Sequence, residues 1–250
     1  METLPNLILG SFAGGPGVFT PASISNLYLW LDADDASTFT YSSGTVVSQW
    51  NDKSGNGYHA TQATVSKQPS RVTSPSIGVD FDGTNDVLGT SATYDGAAFT
   101  QFSVVRDFNT APGGANTIIG AGTGGTDIYF PYMAVNDWYF QVNTNWGVVT
   151  VTPPSGLFNV EVRYNGGGAT NADRMKARID GSDRTLSYSG TIPTTLSRAG
   201  QTTAVGAYNL TPALPFPGII SELITYNKVL NNTELGQVRD YLSAKWGITA

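Results

Sequence analysis

Apolar and polar residues alternate over short stretches of this chain, with the period of two that is typical of a half-buried β-strand. In the stretch 158–164 the apolar side is formed by Phe158, Val160, Val162 and Tyr164. Residues 175–179 repeat the pattern, and Asp180-Gly181-Ser182-Asp183 then predicts a hairpin turn into a strand at 184–188. Further strands are predicted at 27–31, 46–50, 77–81 and 99–108.

The C-terminal region has the spacing of an α-helix instead. Asn231 or Asn232 is a suitable N-cap, Glu234 lies in the first turn, and Gly247 ends the pattern. The apolar stripe consists of Leu235, Val238, Tyr241, Leu242 and Trp246. We expect this helix to pack its stripe on the β-structure.

Turn residues separate the predicted strands at intervals that are typical of a sandwich or barrel. The 250 residues include 29 Gly and 13 Pro, and 15 Asp against only 4 Glu. Asp favours turns and caps, whereas Glu favours helix interiors. The predicted fold is therefore all-β with one short C-terminal helix.

The composition excludes several kinds of chemistry. The chain has no Cys, a single His (His59), 13% charged residues and a formal net charge of −6. Disulfides, thiolate metal sites and two-histidine metal motifs are therefore excluded, and nucleic acid is not expected as a partner because no basic patch is present. No apolar run is long enough to span a membrane, and no basic residue precedes the apolar stretch at 4–12, so a secretory signal is not predicted.

The N-terminal segment differs from the rest of the chain. Residues 11–20 are rich in Gly and Pro and have no periodicity. We interpret residues 1–20 as an arm or linker and residues 21–250 as one β-sandwich domain. The arm is either a disordered tail or a segment that docks on a neighbouring subunit.

Three segments carry a resemblance to a known family. They are LWLDADDAST at 29–38, VSQWNDKSGNGYHATQ at 47–62 with VDFDGTNDVL at 79–88, and the C-terminal stretch 218–248. In their order and spacing they resemble the concanavalin A-like lectin/glucanase fold, in its laminin-G-like branch. The resemblance implies an antiparallel jelly-roll β-sandwich of about 12 to 14 strands in two sheets.

The most similar versions of this family resemble modules of bacteriophage virion proteins and bacterial surface proteins. The resemblance implies a non-catalytic structural protein of a bacteriophage virion, as a capsid decoration or tail-associated module, which is assembled in the host cytoplasm. It would be a homo-oligomer or multicopy protein that contacts other virion proteins through the N-terminal arm and adheres to host-surface glycan. The alternative is a carbohydrate-binding, lectin-like module of a secreted or surface bacterial protein.

Catalysis is not expected. Glucanases of this fold carry two carboxylates on one strand at a fixed spacing, which act as nucleophile and acid, and Glu161, Glu222 and Glu234 have no partner at that spacing. Glu222 lies in a strand that is apolar on both faces, so it needs a hydrogen-bond partner and a structural role is predicted. His59 follows a glycine turn, and we predict a structural role for it as well.

The loop Asp82-Gly83-Thr84-Asn85-Asp86 is a candidate calcium site. Calcium prefers several oxygen ligands, and Asp82, Asn85 and Asp86 supply them in a short loop. Related laminin-G-like domains often hold calcium. The alternative is an ordinary turn, in which the side chains bond to their own backbone.

Residues 129–146 are rich in aromatic side chains. Alternation places Trp138, Phe140 and Val142 on one face, and Tyr139, Gln141 and Asn143 on the other. Since only one face can be in the core, some rings are expected at a glycan site or subunit contact. The candidates for that contact are Tyr129, Tyr132, Tyr139 and Trp146.

Overall fold

The computed structural model describes residues 19–106, 115–122, 128–134, 136–197 and 202–250. Within these residues the chain forms eighteen β-strands and two α-helices. The strands are β1 (Leu27–Asp32), β2 (Phe39–Ser43), β3 (Val46–Trp50), β4 (Ala60–Thr61), β5 (Ser70–Val72), β6 (Gly78–Asp82), β7 (Leu88–Thr90), β8 (Ala98–Arg106), β9 (Ala115–Ala121), β10 (Ile128–Ala134), β11 (Asp137–Val142), β12 (Asn145–Thr150), β13 (Leu157–Asn165), β14 (Met175–Ile179), β15 (Ser182–Arg184), β16 (Ser187–Ser189), β17 (Thr203–Val205) and β18 (Pro217–Tyr226). The helices are α1 (Asn171–Arg174) and α2 (Asn232–Trp246).

The strands form two antiparallel layers. The back sheet has the order β1–β18–β8–β13–β14–β15, and β6 pairs with the first half of β18 on the same side as β1. The front sheet has the order β4–β7–β17–β9–β10–β11–β12–β16. Strands β2, β3 and β5 join the two layers at one edge. The fold is therefore an antiparallel β-sandwich of the jelly-roll type, as the sequence predicts.

The space between the sheets is filled by large apolar side chains. Trp138 and Phe140 from the front sheet meet Phe158, Val160 and other residues of the back sheet in one cluster. Trp138 and Phe158 pack edge to face, with ring centroids 5.9 Å apart. This core occupies the inward-facing positions of both sheets, so that each sheet has one further face to cover or expose.

Helix α2 covers the outer face of the back sheet. Its buried residues Leu235, Val238 and Leu242 join a second apolar cluster with Phe102 and Ile224. Asn231 is the N-cap and accepts hydrogen bonds from the backbone N–H groups of 233 and 234, as predicted. The central strands β18 and β8 of the back sheet are therefore buried on both faces, whereas Lys176 on β14 is exposed.

One sequence prediction needs correction. The stretch 184–188 does not form one strand after the hairpin: β15 ends at Arg184, and Ser187–Ser189 pairs with β12 in the other sheet. Six of the eighteen strands in the described residues contain only two or three residues. The predicted strands at 27–31, 46–50, 77–81 and 99–108 correspond to β1, β3, β6 and β8.

Within the described residues, no helix is both long enough and apolar enough to cross a membrane. The predicted boundary between an arm and a domain at residue 20 remains a prediction, because residues 1–18 lie outside the described part of the chain.

Candidate functional site

The outer face of the front sheet brings one residue from each of eight strands into a single cross-strand row. Consecutive pairings in the register are Thr61 with Gly89, Gly89 with Ala204, Ala204 with Gly120, Gly120 with Tyr129, Tyr129 with Gln141, Gln141 with Trp146, and Trp146 with Ser189. Cα partners of an antiparallel ladder lie on the same face of the sheet. Four neighbouring positions of this cross-strand row are here called the aromatic row: Tyr129, Gln141, Trp146 and Ser189.

Alternation along β11 determines which rings reach this face. Trp138, Phe140 and Val142 are fully buried in the core, whereas Tyr139 and Gln141 are half-buried on the opposite side. The predicted division of the two faces is thereby confirmed. It places Tyr139 next to the aromatic row.

The rings of Tyr139 and Trp146 pack against each other on this face. Their centroids are 6.4 Å apart at an interplanar angle of 66°, and both residues are half-buried. Ser187 and Ser189 beside them are exposed, and Gln141 Nε2 donates to the carbonyl oxygen of Asn143 at 2.7 Å. The surface thus combines aromatic rings with uncharged amide and hydroxyl groups.

The backbone positions of the four predicted contact residues are neighbours in the front sheet. These residues are Tyr129, Tyr132, Tyr139 and Trp146. Tyr132 pairs with Tyr139, and Tyr129 pairs with Gln141, across a register shift between the two pairs. The side chains of Tyr129 and Tyr132 lie outside the described part of the structure. Their backbone register therefore defines where they belong on the sheet, and their role in a contact remains a prediction.

The other half of the cross-strand row is covered by the chain itself. Residues 206–216, here called the cover loop, lie over the glycine positions of the row. A Cβ at Gly120 would meet the backbone of Tyr208 at 2.7 Å, and one at Gly122 would overlap the Tyr208 ring. Leu210 fills the equivalent space above Gly89. Small residues on the sheet thus make room for the loop, while none of its described contacts reaches Gln141 or Trp146.

The loop at 82–86 uses its carboxylates for its own backbone. Asp82 Oδ1 accepts hydrogen bonds from the N–H groups of Thr84, Asn85 and Asp86, at 2.7, 3.0 and 3.3 Å. Asp86 Oδ2 accepts from the N–H of Asp82 at 3.0 Å. No group of three or more His, Cys, Asp or Glu in the described part of the chain could hold a metal ion. The carboxylate oxygens accept these backbone hydrogen bonds as they would in an ordinary turn. Calcium binding at Asp82, Asn85 and Asp86 stays a prediction.

Glu222 is completely buried under α2 and has four partners. Its carboxylate accepts hydrogen bonds from Trp30 Nε1 at 2.7 Å, Trp246 Nε1 at 2.6 Å and Tyr241 Oη at 2.8 Å, and Lys245 Nζ lies at 3.3 Å. Burial raises the pKa of Glu222, while Lys245 opposes the increase. The predicted structural role of Glu222 is consistent with these contacts, since all four of these partners direct a donor group at the carboxylate.

The acidic residues around Glu222 are paired in the same way. Asp32, the cross-strand partner of Glu222, is held by Lys245 at 2.5 Å and by Lys53 at 2.9 Å. Glu161 is also fully buried, and Arg239 of α2 binds both of its oxygens at 2.8 and 2.9 Å. These carboxylates therefore attach the helix to the sheet.

His59 has a local structural role. Its Nδ1 accepts the backbone N–H of Asp52 at 3.0 Å, and Asp52 in turn accepts from the backbone N–H groups of Trp30, Ser54 and Tyr58. The carboxylate of Asp52 thereby organises the glycine-containing loop that leads to β4.

Sequence reasoning missed two features of the site. Tyr208 was not a candidate, although the glycines at 120 and 122 indicate a close approach by another part of the chain. Ser187 falls within the hairpin strand predicted at 184–188, and Ser189 lies outside the predicted strands, whereas both residues pair with β12. Neither feature can be predicted from the local sequence pattern, because both depend on contacts between segments that are distant in the sequence.

Comparisons with known proteins support the fold. The domain 4 of AbnA, a GH43 extracellular arabinanase from Geobacillus stearothermophilus solved with arabinotriose, matches with a TM-score of 0.51 and 15% identity over 84% of this chain and 96% of that one. The binding domain of botulinum neurotoxin DC, solved in complex with SialylT, matches with a TM-score of 0.60 and 11% identity, covering 89% of this chain and 52% of that one.

A sialidase from Trypanosoma rangeli, solved in complex with sialic acid, matches with a TM-score of 0.56 and 16% identity. It covers 88% of this chain, which spans only 33% of the sialidase. No family model and no curated protein match the sequence. At these identities the matches establish a lectin-like β-sandwich fold and nothing finer.

Proposed function

We propose that this chain is a non-catalytic carbohydrate-binding module that holds a glycan on the aromatic row. The observation that carries the proposal is the pair of half-buried rings, Tyr139 and Trp146, on a solvent-facing sheet that also presents Gln141 and exposed serines. Aromatic faces provide apolar contact area, and their polar neighbours orient a ligand.

The comparisons support the same proposal from a different direction. The three matched structures named above are described as complexes with arabinotriose, SialylT and sialic acid. A shared fold is a weak argument for a shared function. We therefore rest the proposal on the surface chemistry and take the neighbours as support.

The positions of the carboxylates support a role without catalysis. The carboxylates of Glu161 and Glu222 bind arginine, tryptophan, tyrosine and lysine donors beneath α2. Glu234 takes part in the N-terminal capping box of that helix. Glycoside hydrolysis needs two carboxylates that face the substrate together. The aromatic row itself contains no carboxylate.

The phage hypothesis remains open. A capsid or tail location, partners among virion proteins, host-surface adhesion and assembly in a host cell were all inferred from the resemblance, and no match bears on them. A carbohydrate-binding module is compatible with a virion location as well as with a secreted or surface bacterial protein.

The proposal is tested by screening the purified chain against an immobilised glycan library and titrating the hits by calorimetry. Trp146→Ala is expected to weaken binding by about tenfold or more, which corresponds to roughly 1.4 kcal/mol. Trp146→Phe should restore part of the affinity because it keeps a ring.

The matched control is Tyr41→Ala, which removes an exposed tyrosine on β2, a strand of the connecting edge. It should leave glycan affinity unchanged. The proposal is wrong if no glycan binds the folded protein, or if Tyr41→Ala and Trp146→Ala weaken binding equally.

A further inference from the structure

Among the described residues, the strands that carry the aromatic row contribute no positive charge. The strands of the front sheet contain no Lys or Arg, and Asp137 is their only charged residue. The basic residues of the described chain lie instead on the connecting segments, the back sheet and its turns, and the region of α2. Arg198 is the one basic residue outside the described part of the chain.

This distribution matters for the charge of a ligand. An acidic sugar that leaves water needs a cationic partner or several strong donors, because burying an unpaired carboxylate is costly. The whole chain also has a net charge of −6, so an anion is repelled at long range. The described front face offers rings, an amide, hydroxyl groups and the carboxylate of Asp137, which suit an uncharged sugar better than an anion.

The cover loop extends the surface beyond the aromatic row. Tyr208 lies over Gly120 and Gly122, and Gly120 is the register partner of Tyr129. Its backbone N–H donates to the carbonyl of Ala213 at 2.9 Å, and Thr117 N–H donates to Leu214 O at 3.0 Å, which ties the loop to β9. A tethered ring is thus placed at the opposite end of the surface from Trp146.

The separation of the two rings suggests the size of the ligand. From β9 to β12 there are three strand spacings, which is about 14 Å across the sheet. That span is too long for a monosaccharide and suits an oligosaccharide of a few units. Such a chain would run across the strands, from Tyr208 past Gln141 to Trp146.

We propose that the aromatic row and Tyr208 together select an uncharged linear oligosaccharide over acidic sugars and over single monosaccharides. The inference rests on the proposed function, because it specifies the ligand of the same site. It assigns Tyr208 as a residue that determines ligand length.

The charge preference is tested with pairs of oligosaccharides that differ only in a terminal sialic or uronic acid. We expect each neutral member to bind about tenfold more tightly than its acidic partner at low salt, with the gap shrinking as salt screens the repulsion. Tighter binding of the acidic members would overturn the inference while leaving the proposed function intact. Binding of neither member would overturn the proposed function itself.

The length preference is tested with Tyr208→Ala on a series from monosaccharide to tetrasaccharide. We expect about a fivefold or greater loss for the longer members and no loss for a disaccharide, because only long ligands reach both rings. Tyr208→Phe keeps the ring and should restore most of the affinity for the longer members that Tyr208→Ala loses. Equal losses at every length, or equal affinity of the native protein for mono- and oligosaccharides, would contradict the assignment.

Leu210→Ala is the matched control in the same loop. Leu210 covers Gly89, two strands further from the aromatic row than Gly120. Its removal should leave the length dependence unchanged, and thermal denaturation of each variant shows whether the cover loop is still in place. A Leu210→Ala loss that matches Tyr208→Ala would mean that the loop acts only as a structural cover.

Discussion

On the outer face of the back sheet, Asp32, Glu161 and Glu222 lie beneath α2, whereas on the outer face of the front sheet Tyr139 and Trp146 face solvent. Both faces come from strands with the same alternation. The back face is charged and buried, so each acid needs donors from the helix. The described front face carries a single carboxylate, Asp137, on its strands, and its rings need no such partner. The comparison teaches that the buried acids of the back face hold α2 to the sheet, while the half-buried rings of the front face are available for the proposed glycan contact.

The largest expected effect is the loss of the Glu222 carboxylate. Glu222→Ala leaves Trp30, Trp246 and Tyr241 without their acceptor and Lys245 without one of its two carboxylates. We expect the free energy of unfolding to fall by about 4 kcal/mol, as is typical when one member of a buried charged network is removed. Urea denaturation measures the change.

Glu222→Gln is the control for this prediction, because it keeps an acceptor oxygen and the side-chain shape. It should cost less than Glu222→Ala, and the folded fraction of both variants should keep native glycan affinity. If Glu222→Ala changed glycan affinity while costing less than about 1 kcal/mol of stability, the separation of a building face from a binding face would be wrong.

Arg239→Ala tests the second attachment of the helix. The substitution leaves the fully buried Glu161 with only Arg163, whose Nε lies 2.9 Å from Glu161 Oε1. We expect a loss of about 3 kcal/mol in unfolding free energy, which persists in high salt because the pair is shielded from solvent. The exposed Lys176 of β14 provides the matched control, and Lys176→Ala should cost less than about 0.5 kcal/mol. A salt-sensitive loss of that smaller size for Arg239→Ala would show that the pair behaves as a surface ion pair.

Local pattern was sufficient for some elements of this comparison. The stripe and caps of α2 and the alternation of β11 are set by residues close in sequence, so both were predicted correctly. Partners of Glu161 and Glu222 could not be assigned in this way. Arg239 lies 78 residues from Glu161, and Trp30 lies 192 residues from Glu222. Only the pairing of β1 with β18, and the docking of α2 on that sheet, bring these groups together.

The same limit applies to the candidate site. The cluster of aromatic positions at 129–146 is visible in the sequence, and alternation separates core rings from surface rings. The contribution of Tyr208 and of the serines on β16 depends on strand register between distant segments. Alternation shows which side of a strand is apolar, but it does not show what covers the other side.

Asp86 differs from the buried acids of the back face. Those acids are paired with cations, whereas the charged neighbours that act on Asp86 are the acids Asp82 and Asp80. Burial raises its pKa to about 6, and Asp82 and Asp80 add to the increase. The folded protein therefore binds the proton more tightly than the unfolded chain, whose Asp has a pKa of about 3.9. The contribution to stability is present below about pH 4 and is lost as the pH rises through about 6.

Asp86→Asn should remove this pH dependence. We expect a gain of about 1 kcal/mol at pH 7.5, which allows for partial solvation of the loop, and no gain at pH 4. Urea denaturation at both pH values measures it, and Asp240→Asn on the exposed side of α2 should change stability by less than about 0.5 kcal/mol. A loss at pH 7.5, together with a stabilisation of the native protein by added calcium, would instead support the calcium hypothesis.

The smallest expected effects concern two glycines in the backbone of α2. They test whether the helix covers the back face because of its own helical stability or because of the buried acids beneath it. Gly236 has open space around its Cβ position within the helix, whereas Gly247 ends the helix with φ +65° and is equally free of neighbours. Gly236→Ala should raise the unfolding free energy by about 1 kcal/mol, and Gly247→Ala should lower it by a similar amount because a side chain is strained at positive φ. The double variant should return close to the native value, since the two sites do not touch. If thermal and urea denaturation gave either single change an effect as large as that of Glu222→Ala, helix propensity and not the buried acids would decide whether the back face is covered.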